Sequence, residues 1–281
     1  MKIENKVEEV RRIVTQWKAQ GLKVGLVPTM GYLHEGHESL IKRAVKENDK
    51  VVVSVFVNPI QFGPNEDLEK YPRDLARDSE LCSNAGADLI FHPEKNEMYA
   101  ADFCTSVNVT GLTENLCGKS RPVHFGGVCT VVSKLFNIVN PDKAYFGQKD
   151  AQQLAVVRRM VRDLSMGIEI VGCPIIREED GLAKSSRNTY LSPEERKAAT
   201  ILYKSLMLGK KAIEDGERDC KKVIDIITKS INSEKLAKID YIQVVNADSI
   251  VDLDKIEGRV LVAMAIYIGK TRLIDNFIYE M

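Results

Sequence analysis

The sequence predicts an α/β protein, a doubly wound parallel sheet followed by a smaller α+β domain. Three observations lead there. Short β-branched runs alternate with stretches of helical periodicity through the first part of the chain. Those runs are apolar throughout rather than alternating, as strands covered on both faces must be. Beyond residue 176 the order changes to two helices and then three strands. The expected division is 1–175 and 176–281, two moderate domains within 281 residues.

Val7, Val10, Ile13, Val14 and Trp17 recur at helical spacing, so an amphipathic helix opens the chain and stops near Gly21. KVGLVP (23–28) reads as a short buried strand. After His37, the residues Leu40, Ile41, Ala44 and Val45 share one face of a second helix. VVVSVFVNP (51–59) is a β-branched run closed by proline, suited to a central parallel strand. The stretch 67–84 has helical character, with Asn84-Ala85-Gly86 as its stop, and DLIF (88–91) is another strand. Residues 92–122 look irregular, with an edge strand around 105–109. A helix is expected over 127–139, with Val128, Val131, Val132, Leu135 and Phe136 inward. Then come a strand at KAYFG (143–147), a helix over 151–164 and a strand at EIVGCPIIR (169–177). SPEER (192–196) starts a helix, with Ser192 as N-cap, Pro193 in the first turn and Glu195 closing a capping box. Two helices and the strands YIQVV, RVLVAMAIYI and RLIDNFIY complete the second domain.

Composition removes several classes of function. Lys and Arg number 40, as do Asp and Glu, so no global field draws nucleic acid or an anionic membrane. Cys82, Cys104, Cys117, Cys129, Cys173 and Cys220 form no CxxC pair and no histidine-spaced zinc pattern. They read as reduced thiols packed like small hydrophobes. MKIENKVEEVRR carries acids, unlike a signal or transit peptide. No apolar run approaches the roughly 20 residues of a membrane helix. The expectation is a cytoplasmic protein with neither nucleic acid nor membrane as partner.

VPTMGYLHEGHESLI (27–41) places two of the four histidines, His34 and His37, between Gly31, Gly36 and a helical run. In a parallel sheet, ligands bind beyond the carboxyl ends of the strands, near a switch in strand order. Glycines allow tight turns and close approach of backbone to ligand. The start of a helix directs unpaired N–H groups at whatever lies there, which favours phosphate. Imidazoles add donors able to stabilise charge building on phosphorus in a transition state. VNPIQF follows the strongest strand, so Asn58 and Gln61 belong to the same edge. Their neutral amides can donate to an oxygen or accept from an ammonium. GQKDAQQ (147–153) follows the KAYFG strand and places a compact cation, Lys149, after it.

LHEGH resembles the HxGH signature of the nucleotidylyltransferases and class I aminoacyl-tRNA synthetases, where it grips ATP phosphates. Longer words narrow the resemblance: PTMGYLHEGHESLI, VSVFVNPIQFGPNEDLEKYPRD, RPVHFGGVCTVVSKLFNIVNPDKAYFGQKDAQQL, EEDGLAKSSRNTYLSPEER and RLIDN. In order, spacing and length the chain is similar to the pantothenate synthetase (pantoate–β-alanine ligase) family. The resemblance implies a Rossmann-like first domain that binds ATP and pantoate, and a lid-like second one. It implies ATP-dependent condensation of pantoate with β-alanine through pantoyl adenylate, releasing AMP and pyrophosphate. It implies Mg2+ and a homodimer. Met30, Gly31, Tyr32, Leu33, His34, Glu35, Gly36 and His37 would line the ATP site, with His37 as proton donor and His34 beside it on the phosphates. Gly147, Gln148, Lys149, Asp150 and Ile176 would join that site, Lys149 against the phosphates and Asp150 orienting ribose or the lysine. LAKSSRN (182–188) would be the mobile loop that closes over ATP through Lys184, Ser185, Ser186 and Arg187. Gln61 and Gln153 would hold pantoate, and Gln61 with Asn58 would hold β-alanine. The whole requires distant segments to converge above one edge of the sheet.

Departures from the family pattern are Lys184, where methionine is usual, and Val123 and Gly126 in the word around Arg121 and His124. No Asp/Glu cluster forms a magnesium cage, so ATP oxygens are expected to hold the ion, with Asp78 or Asp88 as minor protein candidates. Two other functions compete. Another HxGH adenylyltransferase would leave the nucleotide joined to its product. A non-catalytic nucleotide-binding regulator would show no pantoate-dependent release of pyrophosphate. A tRNA-charging enzyme would need a basic stripe or an anticodon-sized extension that the sequence lacks.

Overall fold

Strand and helix alternate through the first part of the chain in a computed structural model that describes residues 1–64 and 66–281. In order come β1 (Lys2–Glu4), α1 (Val7–Ala19), β2 (Val24–Thr29), α2 (Glu35–Glu47), β3 (Lys50–Val55), α3 (Leu75–Asn84), β4 (Leu89–Phe91) and α4 (Lys95–Met98). Next are α5 (Leu116–Ser120), α6 (His124–Val139), β5 (Lys143–Gly147), α7 (Ala151–Asp163) and β6 (Glu169–Cys173). The chain ends with α8 (Pro193–Ala198), α9 (Ile201–Glu214), α10 (Cys220–Ile231), β7 (Ala237–Asn246), β8 (Arg259–Ile268) and β9 (Thr271–Glu280). Asn65, within one of the family-like words, lies outside the described residues.

The chain divides into two units. One comprises Met1–Val109, Arg121–Gln148 and Val156–Pro174, the other Thr110–Ser120, Lys149–Ala155 and Ile175–Met281. The longest piece of the second unit therefore starts at Ile175. Two short pieces that a linear reading placed in the first domain are also tied to the second unit. Asn115 donates to Ile250 O, Gln243 accepts from Leu116 N–H, and Asn276 donates to Lys149 O.

The first unit holds six parallel strands in the order β1-β4-β3-β2-β5-β6. The chain moves outward from β2 to β3, then crosses to the other side of β2 for β5, so the order switches at β2. Val51, Val53 and Val55 share a core with Val27, Ile90, Leu40, Ile41 and Ala44, under α2 and α3. Alternation along the strands sends Leu26, Val52 and Leu89, all buried, to the opposite face, where α1 and α6 pack.

Several expectations change here. The edge strands are β1 and β6, and residues 105–109 have no regular structure. There Val107 N–H is satisfied by the Thr130 hydroxyl instead of a strand partner. Helix over 67–84 shrinks to Leu75–Asn84, because Pro72 blocks continuation and Asp74 caps Arg77 N–H. β3 stops at Val55 and β6 at Cys173, just before Pro174. Helix α6 begins at His124, three residues earlier than its apolar periodicity indicates.

The second unit has a three-stranded antiparallel sheet with β8 central. Val260, Val262, Met264, Ile266 and Ile268 of β8 face Leu202, Leu206, Val223, Ile227 and Ile231 of α9 and α10. The capping box at α8 is present as expected: Ser192 accepts from Glu195 N–H, and Glu195 from Ser192 N–H.

Candidate active site

The loop from β2 to α2 is built around its own helix start. α2 begins at Glu35, so His34 is the N-cap and His37 lies in the first turn rather than ahead of the helix. Nδ1 of His34 accepts Gly36 N–H at 3.1 Å, and Nδ1 of His37 accepts His34 N–H at 3.3 Å. The rings lie 4.1 Å apart, tilted by 43°. A ring nitrogen accepts only when it carries no proton, so both imidazoles are Nε2–H tautomers in this arrangement. The pair does what Ser and Glu do in an ordinary capping box, and each ring keeps its second nitrogen as a donor.

Asp78 holds the turn that precedes this cap. Its Oδ2 accepts Tyr32 N–H at 2.8 Å and its Oδ1 accepts Leu33 N–H at 2.7 Å. Gly31 has φ +83, and a Cβ there would lie 3.0 Å from Asp78 Oδ2 and 3.1 Å from Val55, so glycine is required. Tyr32 itself is left-handed, with φ 50, and its ring lies under the Arg77 guanidinium at 4.6 Å. Asp78 is 1% exposed, and burial raises its pKa against the pull of the two N–H groups. Both oxygens face the loop backbone, so Asp78 is a strut for the histidine-bearing loop rather than an open metal donor. Asp88 is also excluded. It binds Lys50 Nζ at 2.7 Å and Val51 N–H at 2.9 Å, at the amino end of β3 and so at the opposite edge of the sheet. Among the described residues no group of three or more His, Cys, Asp or Glu could hold a metal ion.

β3 ends at the same carboxyl edge, and a single 3-10 turn, Pro59–Gln61, follows it. Gln61 Nε2 lies 3.1 Å from Met30 Sδ, so this turn meets the loop that carries the histidines. Asn58 is 1% exposed, and its amide is fully engaged inside the protein. Its Nδ2 donates to Gln61 Oε1 at 2.9 Å and Gly127 O at 3.1 Å, and its Oδ1 accepts from Tyr99 Oη at 2.7 Å. The expected contact from Asn58 to β-alanine is thereby corrected: Asn58 stands behind Gln61 and supports it. His124 Nδ1 lies 3.1 Å from Gln61 O, which can only accept, so His124 donates and pins the turn's backbone. Arg121 is held bidentately by Glu66, at 2.9 and 2.5 Å. Of the departures, Val123 is exposed, and a Cβ on Gly126 would lie 2.7 Å from Asn108 Oδ1. β5 ends at Gly147, also at the carboxyl edge, and Gln148 follows.

The remaining candidates belong to the second unit. Lys149 Nζ lies 3.8 Å from Asp150, and Lys149 O accepts from Asn276. Gln153 lies in the first turn of α7, beside Gln152, which is buried and donates to Leu112 O and Asn115 O. Ile176 and Lys184 face each other across a short hairpin, Lys184 N–H donating to Ile176 O at 2.9 Å. Arg177 anchors this hairpin. It grips Asp275 with two bonds of 2.7 and 2.9 Å, donates to Gly181 O and stacks 4.6 Å over Tyr203. Ser185 then caps a 3-10 turn, Ser186–Tyr190, through Arg187 N–H. The Lys184 departure is balanced locally, its Nζ lying 2.7 Å from Glu178. Sequence reading missed Asp78 as a strut, Tyr99, and the Arg177–Asp275 pair. Each acts through a partner distant in the chain, and no local spacing reports such a pairing.

The comparisons with known proteins agree in one direction. A model of the Pantoate-beta-alanine ligase family matches residues 2–278. The chain is 67% identical to a pantothenate synthetase of Enterococcus faecalis over 281 residues, covering 100% of each chain. It is 63% identical to one of Ruminiclostridium cellulolyticum, covering 99% of this chain and 98% of that one. The crystal structure of pantothenate synthetase from Thermus thermophilus superposes with a TM-score of 0.94 at 46% identity, covering 99% of both chains. The pantoate-beta-alanine ligase of Francisella tularensis, complexed with beta-gamma ATP and beta-alanine, matches with a TM-score of 0.80 at 36% identity, over 99% of this chain and 97% of that one.

Proposed function

This chain belongs to the pantoate–β-alanine ligase family, and we propose accordingly that it condenses pantoate with β-alanine at the expense of ATP to give pantothenate. A carboxylate is not aminolysed in water at useful rates, because its oxygen is a poor leaving group. The pantoate carboxylate therefore attacks the α-phosphorus of ATP, the bond to pyrophosphate breaks, and pantoyl adenylate forms. The uncharged amine of β-alanine then attacks the acyl carbon, AMP departs, and the amine's extra proton is lost to solvent or a base.

The paired histidine cap carries the assignment of residues. Both Nδ1 atoms are engaged by the loop backbone, so His34 and His37 offer Nε2–H at a helix start, where negative charge is already favoured. We assign them to the phosphate oxygens, on which charge builds as pyrophosphate leaves, as neutral hydrogen-bond donors. His37 shares its Nε2 proton there without giving it up, since a neutral imidazole that lost it would become an imidazolate. Met30 to Leu33, Glu35 and Gly36 shape the same loop by backbone approach. Gln61 is assigned to pantoate and lies near β-alanine, with Asn58 in support. In the second unit, Lys149, Ser185, Ser186 and Arg187 are assigned to the nucleotide's oxyanions. Asp150 holds Lys149, Gln153 serves pantoate's hydroxyls, and Ile176 with Lys184 serves the nucleotide through the hairpin backbone. Gly147 and Gln148 complete that strand end. Mg2+ is assigned to the nucleotide's own oxygens, since the protein donors that were candidates are engaged elsewhere. We further propose a cytoplasmic homodimer, whose subunit number light scattering of the pure protein checks directly.

The deciding assay supplies ATP, pantoate, β-alanine and magnesium. Pantothenate and free AMP are expected in equal amounts, and omission of β-alanine leaves a bound acyl adenylate with pyrophosphate released. Pyrophosphate release without pantoate, or a nucleotide retained in the final product, would sink the proposal.

A further inference from the structure

We infer that Tyr99 and Asn58 are positioning residues that set the polarity of the Gln61 amide, so that it presents N–H rather than carbonyl to the oxygens of the hydroxy acid. This rests on the reading of Gln61 as a pantoate contact and deepens it.

One group in this chain of hydrogen bonds has a role beyond choice. Gly127 O is a backbone carbonyl and can only accept, so the Asn58 atom 3.1 Å away is Nδ2. That choice places Asn58 Oδ1 against Tyr99 Oη at 2.7 Å, which must then donate. Burial raises the Tyr99 pKa well above the usual phenol range, so this proton stays in place. The second Nδ2 hydrogen points to Gln61, 2.9 Å away, and the Gln61 atom that meets it must be Oε1. Nε2 is left at the other end of the amide, beside Met30 Sδ at 3.1 Å. A thioether is a weak acceptor, which a carboxylate or hydroxyl oxygen displaces readily.

Nothing in this chain can turn round alone. Asn58 is 1% and Gln61 6% exposed, so water is not available to satisfy a reversed amide. Close packing fixes the distances too. A Cβ on Gly127 would lie 2.5 Å from Gln61 Cα, and His124 holds Gln61 O from the other side. Asn58 is thus an orienting group for the acid subsite, and Tyr99, 38 residues beyond Gln61 in sequence, is part of the same device.

Two measurements test this. In wild-type protein labelled with 15N-glutamine, the side-chain amide protons of Gln61, identified by their loss in Gln61→Glu, should show a nuclear Overhauser contact to the Met30 methyl and should shift when pantoate is added. Absence of that contact, or indifference to pantoate, overturns the inference whether or not the protein proves to be a ligase. In steady-state assays Tyr99→Phe, which keeps the ring and removes only the donor, should raise KM for pantoate by about tenfold. KM for ATP should stay within about twofold, since no hydrogen bond to the nucleotide is touched. Gln61→Glu keeps an acceptor for Asn58 but presents oxygen to oxygen, and should raise the pantoate KM by about a hundredfold. Equal losses towards ATP and pantoate, or an unchanged pantoate KM in both variants, would reject it. A wild-type protein inactive with all substrates would instead reject the proposed reaction, leaving the magnetic-resonance result to judge the amide.

Discussion

Replacing His37 by alanine removes two groups at once, the acceptor for His34 N–H and the Nε2–H donor. The first loss is a missing helix cap, expected to cost about 1 kcal/mol of stability. The second is a lost transition-state donor, expected to slow adenylate formation by about 10²–10³-fold. Denaturant unfolding and pantoate-dependent pyrophosphate release measure the two separately. Near-normal release would remove His37 from the mechanism. Asp78 allows a test of sign. Burial raises its folded pKa above the ordinary 3.8. Its contribution to stability is therefore complete below the unfolded value and is lost as pH rises through the folded one. Wild type is expected to lose stability relative to Asp78→Asn as pH is raised from acid to neutral. A difference moving the other way would show that the Tyr32 and Leu33 N–H groups outweigh burial. The strand–helix junction that carries the histidines was legible from type and spacing, because turn and helix-start chemistry are local. Asp78 was legible only as an acid, since its partners lie 45 and 46 positions away.

Elements place these side chains through close approach. Helix α6 crosses the Pro59–Gln61 turn at Gly127, where a Cβ would meet Gln61 Cα at 2.5 Å and Gln61 N at 2.6 Å. Both are backbone atoms, so no rotamer change relieves the overlap. Gly127→Ala is expected to destabilise the protein by about 1–3 kcal/mol despite its better helix propensity. It should also depress pantoate use more than ATP binding, which substrate-by-substrate kinetics would reveal. Periodicity located α6 but not its first turn, because His124 and Phe125 are buried by contacts that an apolar face does not describe. The same blindness produced the overlong helix before residue 75, where Pro72 and the Asp74 cap outweighed helical composition. β1 escaped notice since three residues, two of them exposed, carry no period at all.

At the scale of the molecule, the six thiols report where the chain is closed. Cys104 is exposed and the other five are buried. Burial pushes the Cys82 and Cys129 thiols up to about 12 and Cys220 to about 11. Thiolate is the reactive form, so a native-state thiol reagent should modify Cys104 alone on a short time scale, with the rest reacting only on unfolding. Mass mapping that found Cys82 or Cys129 labelled first would contradict the packing of the first unit. No described helix is long and apolar enough to cross a membrane.

What the sequence determined by itself was the alternation of strands and helices, the parallel sheet, the histidine loop and the family-like words. These depend on short-range periodicity, capping and turn chemistry, all written within a few residues. What only the tertiary structure decided was the role of each polar group once buried. Asn58 looked like a substrate amide and became a support, because Gly127, Tyr99 and Gln61 surround it. Asp78 and Asp88 looked alike as acids, yet one braces the histidine loop and the other sits at the far edge of the sheet. A buried donor or acceptor must find a partner, and which partner it finds is a property of distance in space, which spacing along the chain does not contain.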